Sequence, residues 1–226
     1  MDLSVSQLNR RGNTSRYVVV EGPIGVGKTS LAKKLAESLS ADLLLEEAYE
    51  NPFLERFYRE GRSAALPAQM FFLFARARQI EELRQSDLFS NVRVSDYIFA
   101  KDQIFADLNL SPEELALYNQ VVESLNVEAP VPDLVIYLQA SVDALMDRIA
   151  RRSIAFERAI DRRYLENLTD AYARFFHEYD DGPLLIVNAS QIDPINNAAD
   201  YDQLFKQIEK TTGGRHFFNP AAAALA

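Results

Sequence analysis

The chain has no cysteine, which excludes disulfides and thiolate metal sites. Its two histidines, His177 and His216, are too few for a histidine-built zinc centre. No stretch approaches the ~18 apolar residues of a membrane-spanning helix. The polar start up to Arg16 carries Arg10 and Arg11 but no apolar core of a secretion signal. These absences predict a cytoplasmic protein, neither exported nor embedded. Positive charge is also in short supply: the formal net charge is -9, and nucleic-acid backbones and anionic membranes repel such a chain at long range. Small ligands are the expected partners.

What is present describes one large α/β domain. The 226 residues suffice for a substantial core and demand no second one. Tyr17 to Glu21, Ala41 to Glu46, Val92 to Ser95, Leu134 to Leu138 and Leu184 to Asn188 read as short strands. Between them, helical periodicity runs from Lys28 through Leu39, from Pro67 to Arg84, from Ser141 to Arg151 and from Asp161 to Tyr179. Ser111-Pro112-Glu113-Glu114 opens a further helix, expected to end near Leu125, with Ser111 as cap and Pro112 at its first position. Five apolar strands alternating with helices predict a parallel sheet covered on both faces. Residues 1–15 are expected to be a flexible arm, 16–210 the domain, and 211–226, which end in an alanine-rich run, a loosely held tail.

Gly22-Pro23-Ile24-Gly25-Val26-Gly27-Lys28-Thr29 satisfies G-x-x-x-x-G-K-[ST] between a strand and a helix. Glycines let the backbone curl until its N–H groups, backed by a helix N-terminus, face phosphate oxygens. In that role Lys28 reaches the β- and γ-phosphates of ATP, the Thr29 hydroxyl ligates Mg²⁺, and Ser30 completes the loop. Neither a long apolar strand ending in Asp-Glu nor the guanine-reading Asn-Lys-x-Asp is found. That favours a compact kinase over a motor or a GTPase.

Four further groups of polar residues fall at or after strand ends. Glu46 lies in Leu45-Glu46-Glu47, ahead of Asn51-Pro52-Phe53-Leu54; alone it reads as a solvated acidic pair. Tyr58, Gln69 and Arg76 follow. The last two are seven apart and share a helical face, otherwise a solvent-facing stripe beside Phe71, Phe72 and Phe74, which read as core with one ring free to flank a base. Asp96-Tyr97-Ile98-Phe99-Ala100-Lys101-Asp102 is third, with Asp102 alone readable as a helix cap. Arg148-Ile149-Ala150-Arg151-Arg152, with Glu157 and Tyr164-Leu165, is fourth; Arg148 and Arg152 are four apart on one face.

Together these motifs resemble the deoxyribonucleoside kinase family, over about Tyr17 to Asn188, and within it the bacterial deoxyadenosine and deoxyguanosine kinases. The resemblance implies a P-loop kinase fold with an arginine-rich lid over about 148–160, ATP and Mg²⁺, a deoxynucleoside substrate, and a homodimer. It assigns Glu46, chosen over Glu47 by alignment, as the base that takes the 5′-hydroxyl proton. Tyr58 falls to the sugar, Gln69, Arg76 and Asp102 to the base, Asp96 to the metal shell and Glu157 to the 3′-hydroxyl, while Arg148 and Arg152 clamp the migrating phosphoryl group. Two positions depart from the pattern. Tyr97 stands where an arginine is expected, with Lys101 and Arg93 as the cations that could replace it, and Ile154 stands where the lid carries another arginine. A thymidylate-like monophosphate kinase and a non-catalytic nucleotide-binding member are the competing readings.

Overall fold

The computed structural model describes residues 16–85 and 92–219. The expected arm over 1–15 and the last part of the expected tail, 220–226, lie outside the described residues.

Among the described residues six strands, one more than expected, form a single sheet in the order β2-β3-β1-β4-β5-β6. They are β1 (Arg16–Glu21), β2 (Asp42–Leu44), β3 (Val92–Ser95), β4 (Leu134–Gln139), β5 (Leu184–Asn188) and β6 (Arg215–Phe218), and every pairing is parallel. The sixth strand lies inside the segment read as tail. Its signal is weak because it is an edge strand whose residues alternate between exposed and half-buried, with no apolar run to announce it. β2 is shorter than the expected span because the Glu46 N–H turns to the Asp96 side chain at 2.8 Å.

Side chains alternate across the sheet and build a core on each face. Val18 and Val20 of β1, with Ile136, Leu138, Leu185 and Val187, pack on one side against α1 (Lys28–Leu39), α6 (Val142–Arg152) and α8 (Ala198–Lys210). Val19, Val135, Tyr137 and Ile186 face α4 (Lys101–Asn109) and α7 (Arg162–Glu178) on the other, where Tyr172 and Phe176 are fully buried. Burying each such side chain contributes roughly 1.5–3 kcal/mol. A third cluster, including Leu54, Phe57, Leu73 and Tyr118, joins α2 (Leu54–Glu60), α3 (Ala65–Gln85) and α5 (Pro112–Leu125) beyond the sheet.

Helix ends follow local chemistry. Ser111 and Glu114 form a reciprocal capping box with Pro112 at the first helical position. Ser141 caps α6, and Asp161 caps α7 through the Tyr164 N–H at 2.7 Å. Among the described residues no helix is long and apolar enough to cross a membrane.

β1 sits at the point where the order reverses, with β3 on one side and β4 on the other. In open parallel sheets the crevice beyond the strand ends at such a point is where ligands bind. The glycine loop, Glu46 and Asp96 all leave the sheet there.

Candidate active site

After β1 the chain turns sharply into α1 with Gly27 as its N-cap. The turn requires glycine. Gly25 has φ 84°, and a Cβ on Gly22 would come within 2.5 Å of the Leu138 carbonyl oxygen. Lys28 folds back over this loop, donating from Nζ to the carbonyls of Gly22 at 2.7 Å and Pro23 at 3.2 Å. Burial first, and then the nearby Lys101 ammonium, push the Lys28 pKa down to about 8.

Two carboxylates at strand ends fix this corner. Asp96, just past β3, accepts from Thr29 Oγ1 at 2.5 Å through one oxygen and from the Glu46 N–H through the other. Glu21, at the end of β1, is fully buried and accepts from the Gly22 N–H at 2.8 Å, the Ile98 N–H at 2.9 Å and the Tyr172 hydroxyl at 3.0 Å. A buried carboxylate needs such a set of donors to offset lost hydration. Glu21 received no role from the sequence. Its only signal was a charged residue closing a strand of valines.

A cavity of about 960 Å³ opens from the loop toward α3. Lys28, Thr29, Asp96 and Lys101 line its loop end, and Glu46, Gln69 and Arg76 line the way to α3. Arg76 is buried between two carboxylates: Nε donates to Glu46 at 2.9 Å, and its terminal nitrogens contact Glu46 and Asp102. Gln69 Nε2 reaches the Asp102 carbonyl at 3.0 Å and its carboxylate at 3.1 Å. The seven-residue spacing thus does place Gln69 and Arg76 on one working face, and both converge on Asp102. The remaining Asp102 oxygen is buried without a hydrogen-bond partner. Burial, with Glu46 adding to it, lifts the Asp102 pKa to about 6 against the pull of Arg76. Glu46 moves the opposite way: burial opposes its charge, but Arg76 and Lys101, the latter 2.9 Å from Oε2, hold it far below the usual carboxylate range.

Tyr97 is fully buried, and its hydroxyl donates to Gln79 Oε1 at 2.7 Å, while Gln79 Nε2 donates to the Leu45 carbonyl. Of the two candidate replacement cations, Lys101 enters the cavity, whereas Arg93 donates to the Leu83 carbonyl at 3.1 Å and is not among the lining residues. The phenylalanine cluster is less buried than expected, although Phe72 packs against the third core cluster. Phe74 is exposed, Phe71 and Phe72 are half-buried, and Leu73 is the fully buried member. Phe72 lines the cavity under the Arg76 guanidinium, 5.0 Å from its ring centre.

The arginine pair separates. Arg152 lines the cavity, donates to the Tyr49 hydroxyl at 2.8 Å and lies 3.6 Å from Glu157. Arg148 is not among the lining residues; it grips the carbonyls of Val26 at 3.0 Å and Ala189 at 2.7 Å. The joint clamp expected from their spacing is therefore corrected: helical phase aligns the two Cα–Cβ bonds but not the ends of long side chains. Glu157 is buried with one oxygen unpartnered, and burial raises its pKa against the pull of Arg152. The ring of Tyr58, which also lines the cavity, stacks on Phe156 beside it.

Residues 18–212 match the model of the family described as deoxynucleoside kinase. A deoxyguanosine kinase of Bacillus subtilis is 31% identical over 203 residues, covering 88% of this chain and 98% of that protein. A deoxyadenosine kinase of Lactobacillus acidophilus is 28% identical over 209 residues, covering 86% and 95%. Among solved structures, a deoxyadenosine kinase from M. mycoides superposes with a TM-score of 0.75 at 22% identity, over 86% of this chain and 99% of that one.

Proposed function

The chain belongs to the deoxynucleoside kinase family and is thus a phosphotransferase, and from that premise we propose that it passes the γ-phosphoryl group of ATP to the 5′-hydroxyl of a purine deoxynucleoside, deoxyadenosine or deoxyguanosine, for nucleotide salvage. The observation that carries this reading is the continuity of one cavity, from the phosphate loop past Glu46 to Gln69 and Arg76, whose guanidinium pairs with Asp102. A donor site at one end and a carboxylate partway suit an alcohol acceptor whose other end is a base.

In this mechanism the loop N–H groups and Lys28 hold the β- and γ-phosphates. Thr29 and Asp96 offer hard oxygen donors side by side, a set that fits Mg²⁺ bound by one or two protein groups together with phosphates; when bound, the ion neutralises charge on the β- and γ-oxygens. The 5′-oxygen attacks the γ-phosphorus, its proton passes to Glu46, and the bond to the β-bridging oxygen breaks with its electrons left on ADP. Arg152 follows charge onto the transferring oxygens. Glu157, with its unpartnered oxygen, takes the 3′-hydroxyl, and Tyr58 packs on the sugar. Gln69, which lines the cavity and gives its Nε2 to Asp102, offers its carbonyl oxygen to a purine edge, and Asp102, outside that lining, orients it and Arg76 from behind. Arg148 secures the loop from outside.

A monophosphate acceptor is disfavoured because Arg76, the cation of α3 that lines the cavity, is already held by two carboxylates, Glu46 and Asp102. The homodimer belongs to the same proposal; exposed Phe74 on α3 and Leu117 on α5 are apolar surface that such an interface would cover. Side-by-side rates with deoxyadenosine, deoxyguanosine, deoxycytidine, thymidine and thymidine monophosphate, using ATP and Mg²⁺, test the function. Purine nucleosides should lead, and preference for the monophosphate would overturn it.

A further inference from the structure

Lys101 occupies a position that nothing in the stability of its helix asks for. It is the first residue of α4, where unpaired N–H groups already create positive potential, and it is only 2% exposed. Burial and the helix end both disfavour an ammonium there. Glu21 and Glu46 keep it charged regardless, raising its pKa against burial. Lys28 and Lys101 both line the loop end of the same cavity. Two cations bordering one buried cavity are a ready receptor for an anion placed between them.

We propose that Lys101 is a catalytic cation of the acceptor side, which leaves Glu46 for the transferring phosphoryl group as the reaction proceeds. The inference rests on the deoxynucleoside kinase reading of the site. Glu46 poses the problem it solves. With Arg76 on Oε1 and Lys101 on Oε2, both Glu46 oxygens are engaged by cations. Arg76 is held by a second carboxylate, Asp102. Lys101 is a point charge on a flexible four-carbon stem, free of a planar fork's fixed geometry. Its transfer to the γ-phosphoryl oxygens neutralises charge there and at the same time frees Glu46 Oε2 for the 5′-proton. The 5′-oxygen forms its bond to phosphorus, the 5′-proton goes to Glu46, ADP departs with the bonding electrons, and Lys101 keeps all of its protons. Tyr97, uncharged and engaged with Gln79, supplies no such cation.

Lys101→Met and Lys101→Arg test this, with kcat and both KM values measured and thermal melting used to verify folding. Lys101→Met leaves Glu46 paired to Arg76, so the fold should persist. Expected is a fall in kcat of about 100-fold or more with nucleoside KM within about threefold. Lys101→Arg should recover much of the rate. A purely structural lysine would lower melting temperature and leave the folded Lys101→Met variant with near-normal kcat, and that pattern overturns the proposal. Wild-type protein that phosphorylates no deoxynucleoside would overturn the functional reading and this inference together.

Discussion

Thr29 Oγ1 donates to Asp96 Oδ2 at 2.5 Å, tying the first turn of α1 to the end of β3 through a carboxylate whose other oxygen holds the Glu46 N–H. One side chain therefore sets the donor loop and the proposed base relative to each other. Asp96→Asn keeps only one acceptor atom for these two donors. Its rate should fall about 100-fold and its Mg²⁺ requirement should rise about tenfold, by analogy with other metal-assisted phosphoryl transfers. Initial rates in a Mg²⁺ titration check both; an unchanged Mg²⁺ midpoint would remove Asp96 from the metal shell.

Glu46→Gln should lower kcat by about 10²- to 10⁴-fold, the usual range for a lost general base, with deoxynucleoside affinity by calorimetry nearly unchanged. Glu47 is a poorer candidate for the role, since it is exposed and 4.0 Å from Arg78. Near-normal turnover by the Glu46→Gln variant would end the assignment.

Arg148→Ala frees the carbonyls of Val26 and Ala189 without touching the acceptor end. KM for ATP should rise by roughly tenfold, consistent with the loss of one or two charge-assisted hydrogen bonds, while KM for the nucleoside stays constant. If instead kcat falls with KM for ATP unchanged, Arg148 belongs to the transition state after all.

Lys28 titrates near 8 because burial, and then Lys101, disfavour its charge. Phosphates arriving beside it favour the charged form, so nucleotide binding above that pH must take up a proton, about half of one or more at pH 8.5. Calorimetry of ADP binding in buffers of different ionisation enthalpy measures it. For stability the sign follows from the lowered folded pKa: between about 8 and the unfolded value near 10.4 the unfolded chain binds more protons. This lysine therefore makes the protein more stable as pH rises through that window. Lys28→Met should abolish both effects.

The features readable in the sequence were those in which local covalent order does the work. The glycine loop, the Ser111 capping box and the seven-residue step from Gln69 to Arg76 are short-range devices, and the structure contains each of them. The missed helices α2, α4 and α8 had weaker local marks, although Asn197 caps α8 and Tyr201, Leu204 and Ile208 repeat at helical spacing behind it. Long-range partners were not readable. Tyr97 looked like a missing cation; its hydroxyl actually completes a buried link to Gln79, which drew no notice in the sequence. Lys101 could be named only as one of two candidate replacements for the missing arginine; its pairing with Glu46 needed the fold.

The two margins of the sheet are short strands, three residues in β2 and four in β6. A strand edge is an invitation to a foreign strand, and the strength of the invitation grows with the length of straight, unpaired backbone on offer. This sheet carries its longest strands, β1, β4 and β5, inside and shows only stubs at its edges. The same ordering that puts β1 at the catalytic crevice thus also guards a concentrated solution of the protein against edge-to-edge polymerisation.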